Sequence, residues 1–275
     1  MRIRAGLTML FLVGTAAGAE ARGLLRPWDL MDLSHDGSHA GVEATFSNLD
    51  AGNTDLQVFE FLAGGQFQIG KAVDLWVKLP VAIGEGGSLL GNVGIGGIFG
   101  IYDKNTSSGG RLTMGIEGSI WLPSGTDPND QDEFEAYIGV LYSRPLLLPR
   151  WANNVVVPGG AYGIRFKTGK AFFGGNVGFG LAFETEDDNN DDDTHLFFGL
   201  GAGGGAEVAR NVSVLGEFFF IDGDDSDNDT AFGINVGARF AVSNGLTLGA
   251  ALQKSLDLPG SASLFGLRFD LMGYF

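Results

Sequence analysis

Residues 264–275, at the C-terminal end of the chain, read LFGLRFDLMGYF. One alternate set within this stretch is apolar or glycine: Phe265, Leu267, Phe269, Leu271, Gly273 and Phe275. The other set includes Arg268 and Asp270. Because successive side chains of a β-strand point to opposite faces, the alternation predicts a strand with one face toward an apolar medium and one toward a polar interior.

The same alternation recurs along the chain, for example at 112–122 and 173–183. These segments are longer than the five or six residues of an average soluble strand and match the roughly 9–11 residues of a tilted transmembrane strand. Lipid cannot satisfy the open edge of a sheet, so such strands must close on themselves. The pattern therefore predicts an all-β protein, a closed antiparallel transmembrane β-barrel with its apolar side chains outward.

Counting the strands leaves one segment in excess. Alternation gives candidates at 40–49, 55–69, 73–83, 92–103, 111–122, 133–143, 154–166, 170–184, 194–208, 212–221, 230–242, 246–255 and 264–275. A barrel with both chain ends on the periplasmic side needs an even number. The doubtful segment lies between residues 133 and 184, near the sequence RPLLLPR, where Pro145 and Pro149 cannot donate to a ladder. We predict 12 strands, with 14 as the alternative.

The segments between the candidate strands fall into two length classes. Short turns are expected at 70–72, 209–211 and 243–245, and longer polar loops at 84–91, 184–193, 222–229 and 257–263. This predicts short periplasmic turns and longer, acidic extracellular loops. Aromatic residues near the predicted strand ends are expected at the membrane–water interface: Trp76, Trp121, Tyr137, Tyr142 and Tyr274.

The N-terminus has the three parts of a secretory signal. Arg2 and Arg4 precede the apolar run LTMLFLV, and small residues follow at 17–19. An anchor helix is the alternative, but the apolar run is shorter than the ~20 residues that a span needs. We predict a cleaved signal peptide at 1–19, a periplasmic leader at 20–39 and an outer-membrane barrel at 40–275.

The composition is acidic and free of cysteine. A net charge of −16 argues against a nucleic-acid partner, and the absence of Cys excludes disulfides and thiolate metal sites.

The acidic residues are concentrated in two blocks, ETEDDNNDDD at 184–193 and DGDDSDND at 222–229. The second block could bind Ca²⁺ or Mg²⁺ weakly through Asp222, Asp224, Asp227 and Asp229, or bridge to lipopolysaccharide through such ions. It lacks the closing Glu of an EF-hand, and a solvated loop is the alternative. No other cofactor is expected.

Several stretches resemble a known family. LGNVGIGGIF at 90–99, RLTMGIEGSIWLPSGTD at 111–127, AEVARNVSVLGEFFF at 206–220, the segment 240–252 and the terminal aromatic strand are similar to outer-membrane barrels named for the meta-pathway of phenol degradation. The resemblance covers about two-thirds of the mature chain, and the acidic blocks and the segment 144–150 depart from it. It implies a porin-like channel, in a family sometimes linked to uptake of aromatic or other hydrophobic compounds.

The inward polar set is the candidate functional site. Alternation directs eight charged residues to the lumen: Glu43, Lys78, Glu117, Arg165, Glu217, Arg239, Arg268 and Asp270. These charges could line a water-filled path or pair into a plug, since either is possible at this barrel size. Four inward glycines are expected to leave free volume along one strand, which favours a path: Gly199, Gly201, Gly203 and Gly205.

No catalytic residue is predicted. His35 and His39, placed before the first strand, lie beside serines in SHDGSH, but sequence adjacency does not bring a triad together in space. His195 is interpreted as an isolated residue at the start of a strand.

Phe269, Leu271 and Phe275 are expected to form a C-terminal signal for the barrel-assembly machinery. The leading hypothesis is a porin-like channel for passive uptake of small solutes, hydrophobic or aromatic compounds among them. The alternatives are a structural or adhesion barrel with cation-binding loops, a lipid-active enzyme and a soluble periplasmic β protein.

Overall fold

The structure is a computed structural model that describes residues 38–50, 55–70, 72–84, 87–125, 155–184, 194–223, 230–258 and 263–275. All regular secondary structure in these ranges is extended. The strands are β1 (His39–Asp50), β2 (Asp55–Ile69), β3 (Val73–Gly84), β4 (Ser88–Leu90), β5 (Val93–Asn105), β6 (Arg111–Leu122), β7 (Val155–Thr168), β8 (Ala171–Glu184), β9 (Thr194–Ala209), β10 (Val212–Gly223), β11 (Ala231–Ser243), β12 (Leu246–Asp257) and β13 (Ser263–Tyr274).

Twelve of these strands close into an antiparallel barrel. Each long strand pairs with its neighbours in sequence order, and β1 pairs with β13 from His39↔Tyr274 to Asp50↔Ser263, which closes the ring. The predicted count of 12 strands is thus confirmed. β6 pairs directly with β7, from Arg111↔Lys167 to Trp121↔Val157. The candidate strand 133–143 lies outside the described residues.

The three-residue strand β4 continues the line of β5 across an irregularity. β3 pairs with β5 as far as Lys78↔Gly94 and with β4 from Val81↔Leu90, which leaves one extra residue on the β4–β5 side. Pro80 lies opposite this interruption. It cannot donate to the ladder, but its carbonyl accepts the Gly91 N–H at 3.0 Å. Proline therefore occurs in the barrel wall where a bulge removes the need for its N–H.

The two ends of the barrel have different connections. The turns at 70–72, 106–110, 169–170, 210–211 and 244–245 all lie at the end that holds His39 and Phe275. Gly169 and Asn211 have φ of 55° and 67°, the left-handed conformation that two-residue hairpin turns require. The connections at the opposite end, including both acidic blocks, lie largely outside the described residues.

The outer surface of the barrel is apolar around its circumference. Large hydrophobic side chains face outward on every long strand, and Phe173, Val236 and Phe269 are each more than half exposed. Polar and charged side chains of the same strands are buried inside. An apolar exterior and a polar interior are the reverse of the arrangement in a soluble protein, and a barrel in lipid requires them. No helix among the described residues is long and apolar enough to cross a membrane.

The first strand begins one residue earlier than expected. β1 starts at His39, so this histidine belongs to the barrel and not to the segment that precedes it. It is 5% exposed, and its ring lies 5.9 Å from the ring of Tyr274, its partner in register on β13. The predicted signal peptide and residues 20–37 of the predicted leader lie outside the described residues.

Candidate functional site

The charged residues predicted to face inward lie on the inner face of the wall. Six are buried at 2–7% exposure: Glu43, Arg165, Glu217, Arg239, Arg268 and Asp270. Lys78 and Glu117 are half-buried on the same face. We call these eight residues the charged belt. The structure brings them into one lumen, but they are spread over seven strands and do not form a single cluster.

The most closely paired residues of the charged belt lie where the barrel closes. The guanidinium of Arg268 on β13 donates to the carboxylate of Glu43 on β1, and both side chains are almost fully buried. In register, Arg268 is opposite Thr45 and Glu43 is opposite Asp270. The Thr45 hydroxyl also donates to Glu43 at 3.5 Å. Two carboxylates therefore share this region of the seam with one guanidinium.

Other polar side chains of the inner wall pair between neighbouring strands. The Asn235 amide donates to Glu217 at 3.2 Å, and the Gln66 amide donates to Asp74 at 2.9 Å. Arg165 lies over the ring of Phe172, 5.2 Å from its centroid. Charges of both signs therefore take part in the contacts of the inner wall.

Toward the end opposite His39 and Phe275, the inner wall becomes apolar. One buried cluster joins β10, β11, β13 and β1 through Phe219, Ile221, Ala231, Leu264 and Leu49, with Leu258 after β12 and Leu56 on β2 packed into it. Residues at this end of β1 and β13 are fully enclosed: Leu49 is 1% and Leu264 0% exposed.

A second apolar cluster continues around the remaining wall. It contains Trp76, Ile98, Trp121 and Val157, with Val155 and Ala182 packed against it. Phe197 on β9 contacts both clusters and joins them. On β3 and β4, Ala82 and Leu89 are also buried at this end. We call the inward apolar residues of this end the apolar collar: Leu49, Leu56, Ala82, Leu89, Trp121, Val157, Ala182, Phe197, Phe219, Ile221, Ala231, Leu258 and Leu264.

Large aromatic rings on the inner wall lie over glycines of the neighbouring strand. A Cβ built on Gly94 would lie 2.6 Å from the Trp121 ring, one on Gly96 would lie 2.5 Å from the Trp76 ring, and one on Gly233 would lie 2.5 Å from the Phe219 ring. Because these glycines have no side chain, the aromatic rings pack directly against the backbone of the wall.

The interfacial assignment of the tryptophans is wrong. Trp76 and Trp121 are 5% and 7% exposed, point inward and contact each other at a centroid distance of 5.8 Å. The reason is register: Trp76 pairs with Gly96, and Trp121 with Gly94, both inward positions. Tyr274 contacts His39. Tyr137 and Tyr142 lie outside the described residues.

The expected free volume above the inward glycines of β9 is also wrong at two of the four positions. A Cβ on Gly201 would lie 2.7 Å from the Asn176 Oδ1, and one on Gly205 would lie 2.8 Å from the Phe172 ring. Side chains of the neighbouring strand β8 therefore occupy this space. Gly199 and Gly203 lie on the same inward face of β9.

The remaining candidate residues are dispersed. His195 lies on β9 opposite Ala182, far in register from His39, and His35 lies outside the described residues. Asp222 accepts a hydrogen bond from the Thr230 hydroxyl at 2.9 Å, whereas Asp224, Asp227 and Asp229 lie outside the described residues. Within the described ranges, no three His, Asp or Glu side chains are grouped to hold a metal.

The C-terminal aromatic residues face outward. Phe269 is 54%, Leu271 46% and Phe275 74% exposed. The Phe275 N–H donates to the Ser38 carbonyl at 3.2 Å, which extends the β1–β13 pairing to the last residue. This places the residues of the predicted assembly signal on the surface that meets lipid.

The apolar collar was missed because alternation was read strand by strand. The sequence feature that indicates the apolar collar is a loss of alternation near one end of several strands. In β10, for example, both faces are apolar at Phe218, Phe219, Phe220 and Ile221. Only the pairing of strands shows that these interruptions fall at the same end of the barrel.

Comparison with solved structures places the fold among outer-membrane barrels. An outer-membrane channel from Pseudomonas putida F1 is similar with a TM-score of 0.64 at 14% identity, over 91% of this chain and 100% of that chain. The NanC porin is similar with a TM-score of 0.54 at 8% identity, over 85% and 99% of the two chains. A KdgM porin in complex with disordered oligogalacturonate reaches 0.50 at 8% identity, over 86% and 99%.

The class that the fold defines is the transmembrane β-barrel of the outer-membrane type. No protein-family description and no curated protein sequence matches the chain. The similar structures, all well below 25% identity, extend over nearly the whole of this barrel and establish its architecture.

Proposed function

We propose that the protein is a porin-like channel of the bacterial outer membrane for passive uptake of small hydrophobic or aromatic solutes. The observation that supports this most is the apolar collar, a ring of inward apolar side chains on a wall whose outside is also apolar. A lumen that served only polar solutes would gain nothing from an apolar lining at one end. The resemblance to phenol meta-pathway barrels supports the same solute class.

The geometry suggests how a solute would move. The short turns would face the periplasm and the acidic connections the exterior, so a solute would meet the apolar collar before the charged belt. Apolar side chains favour transfer of an apolar solute from water. The charged belt, with paired groups of both signs, offers no strong apolar site that would retain the solute. Movement down a concentration gradient needs no further energy source.

A structural or adhesion role is the second candidate, supported by the two acidic blocks in connections opposite the end that holds His39 and Phe275. Clustered carboxylates could bind Ca²⁺ or Mg²⁺ and bridge to lipopolysaccharide. Deletion of residues 186–193 should then abolish surface binding and leave solute uptake unchanged. We propose no catalytic activity.

Uptake of an aromatic probe tests the channel. N-phenyl-1-naphthylamine is uncharged, is retarded by an intact lipopolysaccharide leaflet and fluoresces in phospholipid. Gram-negative cells that produce the protein should take up this probe faster than cells producing an unrelated barrel at the same level. Equal rates, with the protein shown to be folded by a heat-dependent shift on a gel, would refute the proposed function.

A further inference from the structure

Apolar side chains of the collar occur around most of the barrel, and two polar residues lie opposite collar residues in register: Glu60 opposite Ala82 and His195 opposite Ala182. Nearly every strand around the barrel contributes an apolar side chain. β12 contributes Ser255, but this hydroxyl is bound to the backbone of β13: it accepts the Leu264 N–H at 2.7 Å and donates to the Leu264 carbonyl at 3.4 Å. Leu258, 2% exposed, covers the end of the same strand.

The apolar collar is also closely packed. Leu49, Leu264, Val157 and Leu89 are each at most 1% exposed although they point into the lumen. Most buried charged side chains lie closer to the turn end, whereas Glu60 on β2, 2% exposed, is in register with Ala82 of the apolar collar. The barrel thus has a largely apolar level at one end and a mainly charged level toward the turn end.

These two levels affect ions and apolar solutes in opposite ways. Hydrophobic constrictions stop ions by excluding water, because an ion must lose its hydration without a replacement. An apolar solute loses unfavourable contacts with water at the same level. The charged belt would be expected to conduct ions if it were the narrowest level.

We infer that the apolar collar is the ion barrier of the channel: it excludes water and ions and yields to apolar solutes. Leu264 and Phe197 are the residues that determine this selectivity, because Leu264 is fully enclosed and Phe197 joins the two clusters. The charged belt then acts on ions only after the apolar collar has been opened. This inference rests on the proposed function.

Planar-bilayer recordings with single substitutions test the inference. Leu264→Ser makes the apolar collar polar and smaller, and Leu256→Ser is the matched control, since Leu256 is 53% exposed on the outer surface of the adjacent strand at the same end. The wild-type protein and Leu256→Ser should show small ion conductance, and Leu264→Ser should raise it several-fold. Phe197→Ser should have the same effect and serves as the second variant where Leu264→Ser does not fold.

The outcomes separate the inference from the proposed function. A large wild-type conductance, or collar variants that fold and conduct no more than the wild type, would overturn the inference while probe uptake could still support the channel. An increase in conductance without any uptake of N-phenyl-1-naphthylamine by wild-type cells would support the ion barrier and refute the proposed function.

Discussion

Arg268 on the last strand donates to Glu43 on the first strand, and their side chains are only 3% and 4% exposed. The pair spans the seam at which the barrel closes. A shift of one residue between β1 and β13 would turn either charge toward lipid, so the pair and the lipid favour the same register. Barrel closure therefore depends on polar chemistry inside as well as on the apolar exterior.

Removal of one partner of this pair should destabilise the barrel. Arg268→Met leaves the Glu43 carboxylate buried without its guanidinium, which we expect to lower the free energy of unfolding by about 3–5 kcal/mol. Urea titration of the protein in lipid vesicles, followed by tryptophan fluorescence, measures the change.

The Lys170–Glu207 pair is the control, with Nζ 3.5 Å from Oε1 and side chains 67% and 43% exposed. Lys170→Met should change stability by less than ~1 kcal/mol. Similar losses in both variants would argue against a stabilising role of burial at the seam.

A methyl group at a glycine beneath a ring should also destabilise the barrel. Gly94→Ala forces Trp121 away from the wall, and such overpacking costs about 1–3 kcal/mol. Gly118→Ala lies on the paired strand β6, faces outward and meets no atom within 4 Å. Only Gly94→Ala should shift the unfolding midpoint downward and change the emission of Trp121. An unaltered Gly94→Ala protein would show that the ring can move without cost.

The outward aromatic residues of β13 should direct assembly. Phe275, at 74% exposure the most accessible of these side chains, is predicted to be recognised by the barrel-assembly machinery. Phe275→Ser should reduce the amount of folded protein in the outer-membrane fraction, whereas Phe240→Ser, outward on β11, should have a smaller effect. Equal yields of the two variants would remove the case for a C-terminal signal.

The charged belt should affect ion selectivity once the apolar collar is opened. Arg239 is buried at 6% exposure on the inner face of β11. In a Leu264→Ser background, Arg239→Gln removes a positive charge and should shift the permeability ratio toward cations, as reversal potentials in a salt gradient report. An unchanged ratio would mean that the current does not pass along the belt.

The fold was predictable because lipid imposes a simple rule on every strand. Alternation in 264–275 and its counterparts predicted a closed barrel, and the need for an even strand number led to the count of 12 that the structure confirms. The inward direction of residues such as Glu217 and Arg239 follows from the same rule.

The interior was less predictable because it depends on which residues become neighbours across strands. Trp76 and Trp121 resemble interfacial residues in sequence, yet each lies over a glycine supplied by another strand. Gly201 and Gly205 resemble free volume, yet neighbouring side chains cover them. The direction of the tryptophans and the space above the glycines both depend on the register between strands. The sequence of a single strand does not reveal this register.

Single-cysteine scanning of β13 tests the central claim most directly, and the chain contains no native cysteine to interfere. Spin labels placed at successive positions from Phe265 to Leu271 would be exposed to oxygen dissolved in lipid or to a water-soluble nickel chelate. We predict high oxygen accessibility at Phe265, Leu267, Phe269 and Leu271, and low accessibility at the positions between them. Accessibility without a two-residue period, or highest at Arg268 and Asp270, would contradict a lipid-facing barrel wall.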